Sequence, residues 1–366
     1  MKITEKLRQV LALCLVKNMG PRAFANGLMA FGSLEGFFQN SARNWTKVEG
    51  LHRLNPSGLG TKACWEAVDK EIETAATRKT DILTFFDKEY PALLKEIHDP
   101  PLVLYVKGVL PENRSVCLAM VGSREATRHG LDTAAALARD LAGAGAVVVS
   151  GLARGIDSAA HRGALEAGRT VAVLGSGLSK IYPPENRKLA DEILAKGAVI
   201  SEFPMETEPL PRNFPMRNRI ISGLSRAVIV VEARRRSGAL ITADYALEQG
   251  RDVYALPAYA DSKKAEGSND LLKQGARFVT SVEDILNDFH MKKNSPRPSA
   301  RKSRAVLDGE EKDLIRLLRD AERMHVDELV QKSEWPAQKT MTLLTSLAMK
   351  GAVRELPGKY FEENAS

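Results

Sequence analysis

The sequence predicts an α/β fold whose main architecture is a doubly wound parallel sheet. Six short, continuously apolar runs lie between residues 116 and 257, and amphipathic helical stretches separate them. Continuous apolar runs are typical of parallel strands, which are buried on both faces. Several of the helical stretches end in glycine, a common terminator of helices. Strands that alternate with helices in this way form a parallel sheet covered by helices on both sides.

The segment before the sheet, residues 1–78, is predicted to be a small helical domain. Its apolar residues recur at three- and four-residue steps, and short glycine-containing turns interrupt them. Residues 80–110 follow as an extended connector, which Pro91, Pro100 and Pro101 interrupt. We therefore place the sheet domain at residues 79–290.

The helices predicted within the sheet domain include residues 131–145, 156–168 and 237–250. Ligands of open parallel sheets bind beyond the carboxyl ends of the strands, so a site is expected in the loops that follow the strands. The six predicted strands are VCLAMV (116–121), AVVVS (146–150), VAVLG (171–175), AVIS (198–201), AVIVVE (227–232) and DVYALP (252–257).

The segment after the sheet divides into a basic linker and a winged-helix-like domain. Residues 291–304 carry six lysines and arginines, two prolines and no acidic residue. Residues 291–308 are therefore predicted to be a flexible basic linker. Residues 309–366 contain three predicted helices followed by a hairpin, which is the order of elements in a winged helix.

The composition is that of a globular protein with a modest basic excess. The net charge of +7 fits a localised basic surface that meets an anionic partner, and the apolar content of 44% excludes general disorder. Cys14, Cys64 and Cys117 are too far apart for a disulfide framework or a zinc-binding pattern. The longest apolar runs are too short to span a membrane. We therefore expect a cytoplasmic protein with no metal site and no membrane insertion.

The loops after five successive strands each supply a cation, and four of them also supply glycine. Glycine lets backbone N–H groups approach phosphate oxygens, helix N-termini add partial positive charge, and arginine matches phosphate geometry. Two aromatic residues of these loops, Tyr182 and Phe214, are placed where a ring can stack on a base. The predicted polyanion crevice consists of Gly122, Ser123, Arg124, Gly151, Arg154, Gly155, Gly175, Gly177, Lys180, Tyr182, Asn213, Phe214, Arg217, Asn218, Arg219, Ser237 and Gly238.

Each of these residues also has a simpler explanation, which stays open at this point. Glycines after strands form tight turns in most α/β folds, and adjacent arginines such as residues 234–236 are commonly solvated. Tyr182 and Phe214 could belong to the core. The joint occurrence of cation and glycine in successive loops favours the anion site.

The motifs of common enzyme and cofactor-binding families are missing from the sequence. It contains no G-x-G-x-x-G, no G-x-x-x-x-G-K-[ST] and no G-x-S-x-G, so we expect no cofactor and no catalytic residue. Asp157, His161, Glu202 and Glu232 could form an acid/base set. We favour a structural interpretation, in which Asp157 caps its helix and His161 packs locally.

Long segments of the chain match one known family in the order of their motifs. They are VGSREATRHG (121–130), SGLARGIDSAAHRGAL (150–165), TVAVLGSGLSKIYPPEN (170–186), ISEFP (200–204), NFPMRNRIISGLS (213–225) and VVEARRRSGALITADYALEQGRDVYALP (230–257). In these segments the chain resembles the DNA-processing protein A (DprA/Smf) family. One departure is Ala258, which stands where the family usually has glycine, whereas Gly267 and Asn269 keep the second half of that pattern.

The resemblance implies a single-stranded DNA-binding protein rather than an enzyme. Members of that family bind single-stranded DNA as homodimers and protect it. They also help to load RecA recombinase onto strands coated by single-strand-binding protein, notably in natural transformation. The resemblance further implies an extended Rossmann-like sheet domain, a SAM-like or helix-hairpin-helix-like N-terminal domain and an optional winged helix. Binding without base-edge readout should be largely independent of base sequence and sensitive to salt.

Two other functions remain as alternatives. The general fold also resembles nucleotide-binding hydrolases related to the phosphoribohydrolases, because Glu232 followed by Ser237 and Gly238 is similar to their glycine-rich loop near a glutamate. The P-G-G-x-G-T run of those hydrolases is absent. A duplex-binding regulator would act through residues 309–361, where the third helix has only Lys339 and Lys350 as cations.

The segment around Pro215 leads to a more detailed prediction. Proline biases its predecessor toward extended geometry, so we expect no regular helix to begin at residues 213–214 and place Pro215 in the first turn of the helix that follows. Successive helical residues point about 100° apart, and Arg217 and Arg219 therefore cannot face the same phosphate. One of them is expected to contact DNA, and the other to pair with an acid such as Glu202 or Glu232.

Overall fold

The computed structural model of the chain describes residues 3–259, 261–292, 308–319, 323–350, 352–356 and 358–363. The chain divides into two compact units, Met1–Asn294 and Ser295–Ser366. The predicted basic linker falls mostly on residues 293–307, outside the described residues. The domain boundaries predicted from the sequence stay predictions.

The first unit contains thirteen described helices and one 3₁₀ turn, Pro184–Asn186. The helices are α1 (Glu5–Cys14), α2 (Pro21–Phe31), α3 (Leu34–Gln39), α4 (Ala42–Trp45), α5 (Lys62–Thr77), α6 (Ala92–Lys95), α7 (Arg128–Gly143), α8 (Ile156–Ala167), α9 (Arg187–Leu194), α10 (Asn213–Gly223), α11 (Gly238–Glu248), α12 (Glu266–Lys273) and α13 (Val282–Asp288).

A nine-stranded, mostly parallel sheet forms the centre of this unit. Its strands are β1 (Asp81–Thr84), β2 (Val103–Gly108), β3 (Cys117–Val121), β4 (Val147–Ser150), β5 (Arg169–Val173), β6 (Ala198–Ser201), β7 (Ala227–Val230), β8 (Asp252–Ala255) and β9 (Arg277–Phe278). Their spatial order is β1-β2-β6-β5-β4-β3-β7-β8-β9. Neighbours are parallel from β6 to β9, while β2 is antiparallel to β6 and β1 to β2. The strand order reverses at β3, so β3 and β7 form the topological switch point, where open sheets bind ligands.

All six predicted strands are present, as β3 to β8, and the doubly wound α/β fold is confirmed. Three further strands are not predicted by the sequence. Strands β1 and β2 occupy the predicted extended connector, where prolines 100 and 101 make an apolar run look like a linker. Strand β9 has only two residues, which is too short for a recognisable pattern.

Alternate residues of the strands face two helical layers. Leu118 and Met120 of β3 belong to the hydrophobic cluster that includes α7, α8 and α13, whereas Ala119 and Val121 belong to the cluster of α6, α10 and α11. This alternation is the two-residue period of a strand buried on both sides. The apolar side chains of each strand are therefore divided between two separate cores.

The N-terminal helices pack on the same sheet. Leu11 of α1, Trp45 of α4 and Val68 of α5 share one hydrophobic cluster with Ala172 of β5 and Val199 of β6. The helical N-terminal region is thus part of the first compact unit.

Helix α10 begins at Asn213, so the prediction that no helix begins at residues 213–214 is wrong, whereas Pro215 lies in the first turn as predicted. Pro215 is the third residue of the helix. The N–H groups of the first turn have no acceptor within a helix, so proline removes no helical hydrogen bond at this position. The bias of proline against a helical predecessor is therefore overcome at Phe214.

The second unit is a winged helix, as predicted. Its elements are α14 (Gly309–Arg319), β10 (Met324–His325), α15 (Val326–Ser333), α16 (Ala337–Met349), β11 (Val353–Leu356) and β12 (Tyr360–Glu363). The three strands form an antiparallel sheet in the order β10-β12-β11. Leu314, Leu318, Leu329, Leu344 and Phe361 form its core.

The structure contains no membrane-spanning helix among the described residues, because none is both long and apolar enough. In the same part of the chain, no three histidine, cysteine or acidic side chains cluster as metal ligands.

Candidate nucleic-acid interface

A crevice of about 630 Å³ opens at the carboxyl ends of β3 and β7. The end of β3 with residues 122–125, Arg234 and residues 237–239 beyond β7, and helix α10 contribute to its walls. A much smaller cavity of about 30 Å³ adjoins it and shares Arg124, Tyr182 and Phe214 with it. The site therefore lies at the switch point of the sheet, where the fold predicts a ligand.

The two cavities bring together eleven of the seventeen predicted residues. These are Gly122, Ser123, Arg124, Gly151, Arg154, Tyr182, Phe214, Arg217, Asn218, Ser237 and Gly238. The other six, which line neither cavity, are Gly155, Gly175, Gly177, Lys180, Asn213 and Arg219.

Arg124 and two aromatic rings form the entrance of the crevice. The Arg124 guanidinium lies 5.4 Å from the centroid of the Phe214 ring, and the Tyr182 and Phe214 rings are 5.6 Å apart at 47°. Arg124 has no ion-pair partner among the described residues. An exposed, uncompensated guanidinium beside aromatic rings suits a ligand that carries both a phosphate and a base.

Arg217 forms the buried floor of the crevice. Its Nη1 donates to the carbonyl oxygen of Gly151 at 2.7 Å and also to that of Val173. Its Nε has no partner in the described residues, and no described carboxylate is in ion-pair contact with it. Burial lowers the pKa of Arg217 to about 10, which leaves it charged at neutral pH. The floor therefore carries a positive charge that interacts with Asp157 beyond ion-pair distance and has no described carboxylate in direct contact.

Arg219 points to a different environment and is bound by two acids. Its Nη1 and Nη2 donate to the two carboxylate oxygens of Glu202 at 2.8 and 2.6 Å, and its Nε donates to Asp99 at 3.2 Å. The Arg219 and Glu202 side chains are 8% and 12% exposed. The predicted pairing of one of the two arginines with Glu202 is therefore observed, and Arg219 is the paired one.

The N-terminus of α11 forms another wall. Ser237 is the N-cap, and its buried Oγ has no hydrogen-bond partner among the described residues. Asn218 Nδ2 donates to the Gly238 carbonyl at 3.1 Å and so joins α10 to the start of α11. Free N–H groups and the helix dipole add partial positive charge at this wall.

Two of the predicted glycines are required by close packing. A Cβ at Gly151 would lie 2.6 Å from Nη2 of Arg217, so a larger residue there would require the buried guanidinium to move. Gly155 has φ of +76°, and a Cβ there would collide with the Ser123 carbonyl. These glycines shape the site through its backbone, which differs from the direct phosphate contact that we expect of Gly155 from the sequence.

The remaining predicted residues lie around the crevice. Gly175 lies under the Phe214 ring, and Gly177 packs against the backbone of residues 204–205. The Nδ2 of Asn213 donates to the Glu208 carbonyl at 3.3 Å. Lys180 is held by Glu208 at 3.2 Å and Glu206 at 3.7 Å.

The acidic and histidine side chains near the crevice have structural contacts. Glu232 accepts hydrogen bonds from the Thr127 N–H at 3.0 Å and the Thr127 hydroxyl at 2.6 Å. Asp157 accepts from the N–H groups of Gly151 and Ala153, and burial raises its pKa although Arg217 opposes the rise. These contacts agree with our structural interpretation of the acids.

His161 is also engaged in the interior. Its Nδ1 lies 2.7 Å from Thr170 Oγ1, and the Thr170 hydroxyl itself donates to the Val148 carbonyl. Nδ1 therefore carries the proton, and the ring is neutral. Burial lowers the pKa of His161 to about 3, so the ring stays neutral across the physiological range.

Sequence reasoning missed Arg234 and Glu125 as crevice residues. Both line the crevice, and Arg234 Nη2 lies 3.2 Å from Glu125 Oε2. Arg234 belongs to the arginine run that could have been solvated. Its position in the loop after β7, which matches that of Arg124 after β3, is the signal that could have identified it.

The loop after β8 contains the departure from the family pattern. Asn269 closes this loop, because its side-chain amide donates to the Ala258 carbonyl and accepts from the Ala258 N–H, both at 3.1 Å. Both contacts use the backbone of residue 258, so they do not require glycine there.

Helix α16 of the second unit offers little free positive charge. Lys339 pairs with Glu310, and Lys350 pairs with the buried Glu311, both at 2.6 Å. Residues 340–349 contain no charged residue. This helix therefore lacks the cations that duplex binding in a major groove uses.

Comparisons with known proteins identify related sequences for both units. The profile of the DNA recombination-mediator protein A family matches residues 81–290, more than half of the chain, and a DprA winged helix domain profile matches residues 297–359. The DNA processing protein DprA of Bacillus subtilis is 44% identical over 221 residues, which cover 59% of this chain and 74% of that protein.

Two solved structures of relatives are similar. The structure of DNA processing protein A from Streptococcus pneumoniae matches with a TM-score of 0.61 and 35% identity, over 79% of this chain and 99% of that one. DNA processing protein A from Helicobacter pylori matches with a TM-score of 0.52 and 29% identity, over 58% of this chain and 96% of that one. That structure is described as giving insight into a single-stranded DNA binding mode.

Proposed function

This chain belongs to the DNA recombination-mediator protein A family, and on that premise we propose that it binds single-stranded DNA across the strand-end crevice. The observation that carries the proposal is the meeting of Arg124, Arg217 and the N-terminus of α11 in one crevice whose entrance holds Tyr182 and Phe214. Cationic and backbone donors suit phosphates, and exposed rings suit unstacked bases. The single-stranded DNA binding described for the Helicobacter pylori relative supports the proposal.

Each group of residues receives a role in this proposal. Arg124 contacts a phosphate at the entrance, Tyr182 and Phe214 stack on a base, and Arg217 supplies charge from the floor. The Ser237 N–H already donates to the Arg234 carbonyl, so we assign the Ser237 hydroxyl and the Gly238 N–H to a further phosphate. The function is binding rather than catalysis, since Glu232, Asp157 and His161 have structural hydrogen-bond partners.

The binding test compares a fluorescently labelled oligothymidylate with a duplex of equal length. We expect tighter binding of the single strand, because paired bases cannot stack on protein rings. Affinity should fall with salt with a log–log slope of about −0.7 per neutralised phosphate on a single strand. Equal affinity for the duplex, or no dependence on salt, contradicts the proposal.

The finer biological role that we propose follows from family membership. The protein acts in the cytoplasm as a homodimer, protects incoming single-stranded DNA and loads RecA recombinase onto it, with single-strand-binding protein as a further partner. The reconstituted test measures DNA-dependent ATP hydrolysis by RecA on strands coated with single-strand-binding protein, with and without this protein. If this protein does not stimulate ATP hydrolysis by RecA, the loading role is contradicted, whereas the proposal of DNA binding is unaffected. Light scattering coupled to size-exclusion chromatography tests the dimer.

A further inference from the structure

Three cations are paired with glutamates: Arg234 and Arg154, which line the cavities, and Lys180, which lines neither cavity and also contacts Glu206 at 3.7 Å. Arg234 Nη2 lies 3.2 Å from Glu125, Lys180 Nζ lies 3.2 Å from Glu208, and Arg154 Nε contacts Glu185. Arg124 has no such partner in the described part of the chain. The positive charge that a ligand meets in the free protein is therefore concentrated at Arg124, at the entrance of the crevice, and is partly neutralised at the other three cations.

These pairs differ from the structural pair of the same unit. The Arg219–Glu202 contact is bidentate and buried, whereas the side chains of Glu125, Glu185 and Glu208 are 77%, 49% and 63% exposed. Exposed ion pairs contribute little to folding. Their glutamates are thus not needed to hold the fold together.

Each glutamate contacts a cation that a phosphate would have to bind. The hydrogen bond from Arg154 lowers the pKa of Glu185, which keeps this carboxylate charged. A phosphate that binds one of these cations must displace its carboxylate. The displaced carboxylate stays nearby and repels the phosphate. Each pair therefore opposes ligand binding at its own cation.

We infer that Glu125, Glu185 and Glu208 are competing counter-ions that restrain the affinity of the crevice for single-stranded DNA. This inference rests on the proposed function. It makes these three glutamates determinants of affinity that act against binding, in contrast to carboxylates that orient an arginine toward its ligand.

The test measures oligothymidylate binding by fluorescence anisotropy at low and physiological ionic strength, with the full chain. The variants are Glu125→Gln, Glu185→Gln, Glu208→Gln and the triple variant. Each single change is expected to tighten binding about two- to fivefold at low salt, the range that exposed ion pairs permit, and the triple change to tighten it further.

The matched control is Glu112→Gln. Glu112 is exposed and contacts Nε of Arg114 at 2.6 Å, as Glu185 contacts Nε of Arg154. It precedes β3, so it lies toward the amino end of that strand, away from the crevice. This variant reports the effect of one lost negative charge on overall attraction to DNA.

Three outcomes separate the hypotheses. Tighter binding by the crevice variants than by Glu112→Gln supports the inference. Weaker binding, or binding equal to the control, overturns it, since the glutamates would then position their cations or do nothing. If the unchanged protein fails to bind oligothymidylate, the proposed function itself fails, and the inference fails with it.

Discussion

In the strand-end crevice, Arg124 and Arg217 form no ion pair with a carboxylate among the described residues, whereas the cation of α16 in the winged helix and the cation at its C-cap are both held by glutamates. Lys339 contacts Glu310, and Lys350 contacts Glu311. Both regions contain a helix and cations, and a count of charges would treat them alike. The contrast teaches that an anion site depends on which cations lack a counter-ion, and this is a property of the folded chain.

The largest expected effect concerns the pair beneath the crevice. Arg219→Ala should lower the free energy of unfolding by about 3–5 kcal/mol, because Glu202 is left buried without its cation. Chemical denaturation measures this loss. Burial raises the pKa of Glu202, and removal of Arg219 raises it further, so the loss should shrink as the pH falls and Glu202 takes up a proton. A loss that is small, or constant with pH, would contradict the structural role of Arg219.

The next effect is a loss of stability of the first unit at acidic pH. In the unfolded chain His161 takes up a proton near its ordinary pKa of 6.5, whereas the folded protein resists protonation down to about 3. The unfolded state therefore binds more protons between these values, and the free energy of unfolding falls with acid by up to about 1.4 kcal/mol per pH unit.

His161→Asn tests this prediction. Asparagine keeps a donor toward Thr170 but cannot gain a charge in this range. Denaturation from pH 7 down to pH 4 should give a flatter curve for the variant than for the unchanged protein. If the two curves are parallel, protonation of His161 does not cause the loss of stability in acid.

Arg124→Ala tests the comparison between the crevice and the winged helix by its effect on DNA binding. We expect about a tenfold loss of affinity for oligothymidylate, the scale of one charge-assisted hydrogen bond, and a smaller salt slope. The melting temperature should stay unchanged, since Arg124 is exposed and makes no ion pair among the described residues. If a lower melting temperature accounts for the loss of affinity, Arg124 contributes to the stability of the fold rather than to DNA binding.

The smallest effect is expected in the winged helix. Lys339→Ala should change affinity by less than about twofold, because Lys339 is already neutralised by Glu310. The same anisotropy assay measures it beside Arg124→Ala. A loss as large as that of Arg124→Ala would remove the distinction between the two regions.

The sequence by itself determined the sheet and predicted the place of the candidate site. Runs such as residues 227–231 are apolar without alternation, which is typical of a strand buried on both faces, and glycine with arginine after successive strands predicts an anion crevice there. Both signals are local, since a few neighbouring residues carry them. Strands β1, β2 and β9 could not be predicted in this way, because their short length or the neighbouring prolines leave no such local signal.

Only the tertiary structure decided which cations are available to a ligand. Arg217 and Arg219 are two residues apart on one helix, yet one reaches the floor of the crevice and the other reaches Glu202 and Asp99. Lys180 and Arg154 carry the same charge as Arg124 but meet glutamates from other segments. Ion pairs join residues far apart in the chain, so their partners follow from packing. The sequence specifies the charges, and the fold decides which of them remain uncompensated.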